Sequence, residues 1–287
     1  MFENIENLKR IDLESISVYE MMLAFMRFPV FCNLPLELKP DRAVFRSLRI
    51  KDEKTLHTSK ERISYNKKAD FYNRASVPNF PMFYGSITTG RSQTDLDRLG
   101  INKDEPNQKQ NHGYMVNILE CSDIATVLEA EGSELFTVGM WEIQKEIAVG
   151  SIFNHKPFDA YGKMAYEKLL DYYEWINTQP GDRFDIARKN LSEQKALNEY
   201  MAEVFAKPAK NENDYKLSAH YSYRIAHAER ENYYGISYPS VKANYEGHNV
   251  AFHPSVIEEG IIDLKRAALV RIFKKKNSTD IVWNWEG

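Results

Sequence analysis

The chain has 287 residues, of which 43% are hydrophobic and 28% charged, and its formal net charge is -3. That length buries a sizeable core as one large domain or two, and the composition excludes a disordered chain. The slight acidic balance argues against a dedicated nucleic-acid binder, which carries a basic surplus.

Along the chain, Ser17 and Glu20 have the spacing of a capping box. Leu13, Ile16, Met22, Leu23 and Met26 then lie broadly on one face of a helix that should end before Pro29. Pro35 and Pro40 punctuate an irregular link. Residues 43–50 read as a strand carrying Arg46 and Arg49, and residues 82–86 as another, entered through Pro78 and Pro81. Residues 91–112 are polar throughout and read as an exposed insertion. Ser122 or Asp123 can cap a short helix running through Glu129. Residues 135–141 and 147–153 suit strands. Residues 158–176 read as a helix, a second starts at Ser192 and stops before Pro208, and a third covers 215–229. Strands return at Gly235, at Asn249 and over 264–273, and the run Lys274 to Lys276 reads as a solvated strand end. Strands therefore flank a helical middle, so the expected class is α+β.

Several common sites are absent from the sequence. There is no Gly-rich phosphate loop, no His-Glu-x-x-His and no Gly-x-Ser-x-Gly elbow. Cys32 and Cys121 are too few for a disulfide framework or a zinc site. His220 and His227 share a helix at a spacing awkward for joint ligation, so no metal is expected. The N-terminal stretch mixes Lys9 and Arg10 with acidic residues, unlike a secretory signal, and no apolar run reaches membrane-spanning length. A cytoplasmic protein is expected, with no membrane and no direct nucleic-acid partner.

The run Gly-Ile-Ser-Tyr-Pro-Ser-Val, Gly235 to Val241, is the most informative segment. Proline has no N–H and halts the strand at Pro239, which leaves the Ser240 hydroxyl on irregular backbone at a strand end. Taken alone, the run also fits a serine that bonds the turn backbone. Arg46 is a further candidate, because an arginine on an inner strand is costly unless paired and so suits an anion. Arg74, Tyr84, Ser86, Glu129 and Glu131 complete the spread set of polar groups.

In chain order, four blocks resemble the RES-domain family, named for an Arg, a Glu and a Ser. They are Val-Phe-Arg-Ser-Leu-Arg-Ile at 44–50, Asn-Arg-Ala-Ser-Val-Pro-Asn-Phe-Pro-Met-Phe-Tyr-Gly-Ser at 73–86, Ser-Asp-Ile-Ala-Thr-Val-Leu-Glu at 122–129, and the Ser240 run with its following Asn249. The resemblance covers roughly residues 42–273. It implies an ADP-ribosyltransferase-like fold, with central β-sheets flanked by helices, and divides the chain into an N-terminal helical extension (1–41) and a RES domain (42–287) with a polar insertion near 91–113. It implies a toxin of a toxin–antitoxin pair that cleaves the nicotinamide–ribose bond of NAD, or an ADP-ribosyltransferase that modifies a protein. A non-catalytic interaction protein on the same fold is the remaining reading. The family Arg corresponds to Arg46, with Arg49 as its rival, the Glu to Glu129, with Glu131 as its rival, and the Ser to Ser240. Arg74, Tyr84 and Ser86 are implied as substrate contacts. NAD is then a substrate and no resident cofactor is implied. The implied partners are inorganic phosphate and an antitoxin protein; the N-terminal helix and the aromatic helices of the middle region suit a homodimer, that antitoxin or simply the core. Two departures stand out: Asn73 precedes Arg74 where the family has Gly, and the polar stretch lengthens the path from Tyr84 to Glu129.

Overall fold

The computed structural model describes residues 3–26, 28, 35–40, 42–51, 59–87, 113–152, 160–228, 231–244 and 247–286. The polar insertion expected near 91–113 lies outside them apart from Gly113, and Cys32 and Pro29 do too. The elements in order are α1 (Glu3–Lys9), α2 (Val18–Met26), β1 (Pro35–Leu38), β2 (Ala43–Ile50), α3 (Lys60–Ile63), β3 (Phe83–Ile87), α4 (Gly113–Cys121), β4 (Gly132–Ile143), β5 (Ile147–Ser151), α5 (Ala160–Thr178), α6 (Asp182–Ala206), α7 (Lys216–Tyr223), β6 (Gly235–Pro239), β7 (His248–Phe252), α8 (Ser255–Glu258), β8 (Ile262–Lys274) and β9 (Ile281–Glu286). A 3-10 turn precedes α7 and a π turn follows it. The protein is mixed α+β, with both parallel and antiparallel strand pairs.

Two compact units divide the chain. The first comprises Met1–Glu37, Asn66–Met82 and Ala148–Pro239; the second comprises Leu38–Tyr65, Phe83–Ile147 and Ser240–Gly287.

In the second unit, β7, β3, β2, β4, β8 and β9 lie side by side in that order, and each neighbouring pair is antiparallel. Side chains alternate between sheet faces, and residues opposite one another share a face. One face therefore carries Phe45, Ser47 and Arg49 with Ser86, Asn249, Val138 and Phe136. Helix α4 packs here: Tyr114 and Ile118 join Phe45, Phe136, Val138, Met140, Val270 and Ile272 in a buried cluster edged by Trp283 and Trp285. The other face carries Val44, Arg46, Phe83, Trp141 and Phe252. The Phe83 and Trp141 rings meet edge to face at 4.9 Å, a geometry that suits their quadrupoles.

One ladder in this sheet is short. β2 pairs with β4 along all of its length, from Ala43 to Ile50. Against β3 it pairs only at Val44–Ile87 and Phe45–Ser86. The two central strands part beyond Phe45, and the backbone groups of Ser47 and Tyr84 must find other partners.

In the first unit, β5 and β6 pair in parallel through Gly150–Ile236 and Ser151–Ser237. The capping box forms as its spacing predicts: Glu20 N donates to Ser17 Oγ at 3.2 Å, and Ser17 N donates back to Glu20 Oε2 at 3.0 Å. The helix it starts begins at Val18, so Leu13 and Ile16 sit in the preceding turn. That turn is pinned by Lys216, whose Nζ donates to Leu13 O at 2.7 Å and Ile16 O at 3.2 Å. Phe25 and Phe205 each approach Tyr221 edge on, joining α2 and α6 to α7.

The strand expectations at 43–50, 82–86, 135–141, 235 and 264–273 agree with β2, β3, β4, β6 and β8 to within a few residues. The helix expected from Ser192 starts at Asp182 instead. Residues 122–130 form bends and turns, not a helix through Glu129. The Ser122 hydroxyl accepts from the N–H groups of Ile124 and Ala125, at 3.2 and 2.9 Å, and so closes a local turn. Lys274 is buried, not a solvated strand end. Its Nζ donates to Leu128 O at 3.1 Å and Ala130 O at 2.8 Å, taking the place of water.

His220 is buried on α7, with Nε2 3.2 Å from Tyr72 Oη. Burial first, and then the nearby Lys216 charge, push its pKa down from 6.5 to about 4. The folded unit thus holds the imidazole neutral, and its contribution to stability is complete above pH 6.5 and is lost as the pH falls towards 4. The denaturation midpoint of the protein should fall across that window, and His220→Gln should flatten the fall; an unchanged slope would contradict the assignment.

Candidate active site

The parted strands β2 and β3 create the chemistry-bearing part of the second unit. Ser47 N would have continued the ladder; instead it donates to Asn117 Oδ1 on α4 at 2.5 Å. Ser47 O accepts from the Cys121 thiol, one helical turn further on, at 3.3 Å. Across the opening, Tyr84 O accepts from Arg46 Nη1 at 2.8 Å. Side chains have thus replaced the strand partners lost on both edges. An orphaned buried N–H costs on the order of 1–3 kcal/mol, so the substitution is a condition of the opening.

Asn117 begins a buried polar network. Its Nδ2 donates to Ser86 Oγ at 3.1 Å, and Ser86 Oγ donates to Asn249 Oδ1 at 2.8 Å. Asn249 Nδ2 donates to Glu120 Oε1 at 2.8 Å. The same oxygen accepts from Ser240 Oγ at 2.5 Å. Helix α4 therefore supplies Asn117, Glu120 and Cys121, strand β3 supplies Ser86, β7 supplies Asn249, and the turn after β6 supplies Ser240. Glu120 Oε2 makes no hydrogen bond among the described residues. Lys242 Nζ donates to Glu120 O at 2.9 Å and Ser122 O at 3.3 Å, a cation on the carbonyl end of α4 where the helix dipole favours it.

Ser240 combines both of its sequence readings. Its hydroxyl accepts from Ala243 N at 3.1 Å, the turn bond, and donates to Glu120, a contact the sequence alone does not reveal. Its own N–H donates to Gly247 O at 2.9 Å. Gly247 has φ +129°, and a Cβ there would lie 2.5 Å from Val116 Cγ2 of α4. The turn can press against α4 only because that residue has no side chain.

The two candidate arginines differ in kind. Arg49 is held by Glu134 Oε1 at 2.6 Å and by Asp123, and these carboxylates raise its pKa, Glu134 foremost. It clamps β2 to β4 and to the turn after α4. Arg46 has no carboxylate partner among the described residues. Its Nε donates to Ser64 O at 3.1 Å, its guanidinium stacks 5.4 Å over the Phe83 ring, and burial lowers its pKa. It rises from the face opposite to Ser86 and Asn249, the face of Phe83, and reaches the edge of the opening through its bond to Tyr84 O.

Glu129 and Glu131 are both exposed, Glu129 on the turn that Lys274 holds. The structure does not bring either of them to Ser240; the carboxylate that meets Ser240 is Glu120. Tyr84 and Ser86 share the face of the network. Arg74 belongs to the first unit, where it donates to Phe205 O at 2.5 Å and Lys207 O at 3.3 Å, capping the end of α6, and stacks 5.2 Å over Tyr215.

Glu120 and Asn117 join the candidate site from α4 without having stood out in the sequence, and Asn249, named there only as the residue that follows the Ser240 run, joins it from β7. The available signal was the apolar run Tyr114, Met115, Val116, Ile118, Leu119 ahead of Glu120, with Asn117 and Cys121 four apart and so on one helix stripe. The polar stretch that precedes this run in the sequence masks its helical spacing.

Cys121 is a free thiol whose pKa is raised, mainly by burial. Among the described residues no group of three or more His, Cys, Asp or Glu comes together as metal ligands, and no helix is long and apolar enough to cross a membrane. No protein family, no curated protein and no solved structure matches the chain.

Replacing Gly247 by Ala should destabilise the protein by about 1–3 kcal/mol, since it adds both steric conflict and backbone strain. Denaturant unfolding of the variant checks this, and an unchanged midpoint would contradict the close approach to Val116.

Proposed function

We propose that the chain is an NAD-cleaving enzyme of RES type, which breaks the bond between nicotinamide and ribose and acts as the toxin of a toxin–antitoxin pair. The observation that carries this reading is the contact between Glu120 and Ser240, set beside an opened strand pair that holds Arg46 without a carboxylate. It is supported by the resemblance of the blocks around Arg46, Tyr84 and Ser240 to that family, with Glu120, the carboxylate that meets Ser240, in the role of the family Glu in place of Glu129.

The chemistry asks little of a general acid. Nicotinamide departs from a cationic ring as a neutral molecule, while positive charge grows on the ribose as in glycoside cleavage. Glu120 Oε2 would accept a ribose hydroxyl and place negative charge beside the developing cation. Ser240 would hold the other carboxylate oxygen from its buried place behind Glu120. The remaining Arg46 N–H groups would bind a phosphate oxygen, for which a guanidinium fork is suited. Tyr84 would stack on the positively charged nicotinamide ring. Water or inorganic phosphate would take up the ribose carbon, which leaves ADP-ribose or its 1-phosphate. An antitoxin protein that covers this opening would restrain the activity, and a homodimer is a further partner of this reading.

Purified protein incubated with NAD should release nicotinamide. Glu120→Gln should lower that rate on the order of 10²-fold or more, while Glu129→Gln should leave it unchanged. ADP-ribose appearing on protein instead of in solution would replace cleavage by protein modification, and no loss of NAD at all would overturn the proposal.

A further inference from the structure

We propose that Asn117, Ser86 and Asn249 form a one-way hydrogen-bond chain that aims Glu120, and are positioning residues for the reaction; this rests on the NAD-cleaving reading above. The direction of the chain is set by the backbone. The Ser47 N–H can only donate, so Asn117 must present Oδ1 to it. Asn117 therefore turns Nδ2 to Ser86 Oγ. With a lone pair so engaged, Ser86 gives its proton to Asn249 Oδ1. Asn249 is left with Nδ2 towards Glu120 Oε1. Ser240 reaches the same oxygen independently, and because its Oγ accepts from Ala243 N, its proton too goes to the carboxylate.

Every donor thus ends on one oxygen of Glu120. Ser86 and Ser240 are 0% exposed, Ser47 2% and the two asparagines 6%. Water does not compete at such sites, and flipping either amide would bury mismatched groups. Bonds in a chain of this kind polarise one another in a common direction. The consequence is geometric: Oε1 is fixed by two buried donors, and Oε2 is the atom left to meet a ligand. The starting point of the chain is the N–H released by the parting of β2 from β3, so the feature that opens the sheet also orients the carboxylate.

Two variants and two readouts test this. Ser86→Ala removes the middle hydroxyl without adding charge. Asn117→Asp keeps the acceptor for Ser47 N–H but removes the donor to Ser86, which frees the serine hydroxyl to turn round. In NAD cleavage each should lower kcat at least about tenfold, because a small misplacement of a reacting group is that costly. KM should change less than kcat, since the proposed phosphate and ring contacts of Arg46 and Tyr84 are left in place. The double variant should be no worse than the worse single one, because both break one chain. In 15N-labelled protein, the Asn249 side-chain amide pair should shift and exchange faster in Ser86→Ala, while the backbone spectrum keeps its dispersion. A folded Ser86→Ala protein with unchanged kcat overturns the positioning role. If Asn117→Asp fails to fold, Ser86→Ala decides the matter alone. If the wild-type protein does not cleave NAD, the functional reading falls separately; the chain is then judged by the amide spectrum, and an Asn249 pair unmoved by Ser86→Ala overturns it.

Discussion

The parting of β2 from β3 is the constraint on which the second unit depends. A sheet that stayed paired would bury the Ser47 N–H in a ladder and leave no opening. A sheet that parted without replacements would strand several backbone groups in an apolar interior. The protein meets this with side chains. Asn117 and Cys121, on one stripe of α4, take the two edge groups of Ser47, and Arg46 takes the carbonyl of Tyr84. Helix α4 is held over the opening by its apolar stripe, Tyr114 and Ile118, against Phe45, Phe136 and Val138. Packing and polar satisfaction are therefore met by one helix, and Glu120 is brought to Ser240 as a result.

The charges in this unit sort by partner. Arg49 lies between Asp123 and Glu134, and its charge serves to join β2, β4 and the turn after α4. Lys274 and Lys242 bond to backbone carbonyls and fix turns. Arg46 likewise bonds only to neutral carbonyls, and what sets it apart is the aromatic ring it stands over. A half-buried guanidinium without a counter-ion favours an incoming anion, which is why it attracts a functional interpretation while its neighbour three residues on does not.

The sequence reading reached Ser240, Tyr84, Ser86 and Arg46 through local pattern. Pro239 ends β6 because it lacks an N–H, and that fact alone places the Ser240 hydroxyl at a strand end. The alternation in β2 and β3 is likewise local. The carboxylate was a different matter. Leu128-Glu129 and Leu119-Glu120 are both glutamates after apolar residues, and spacing does not separate them. What separates them is that Ser122 closes a turn while Tyr114 and Ile118 find a sheet to cover. Neither event is written in the residues next to the glutamates. The first turns of α6, before Ser192, were not read, and α4 itself and the buried Lys274 were illegible for the same reason as the carboxylate: each of these two depends on a surface provided from far along the chain.

Composition and periodicity by themselves determined the α+β class, the strands around Arg46, Tyr84 and Ser240, and the capping box at Ser17, because propensity and proline chemistry act over a few residues. Only the tertiary structure decided that β2 and β3 part, that Asn117 and Asn249 join Ser86 in one buried network, and that Glu120 stands against Ser240. Those pairings close over separations such as the 120 positions between Glu120 and Ser240. They are fixed by which buried donors would otherwise lack an acceptor.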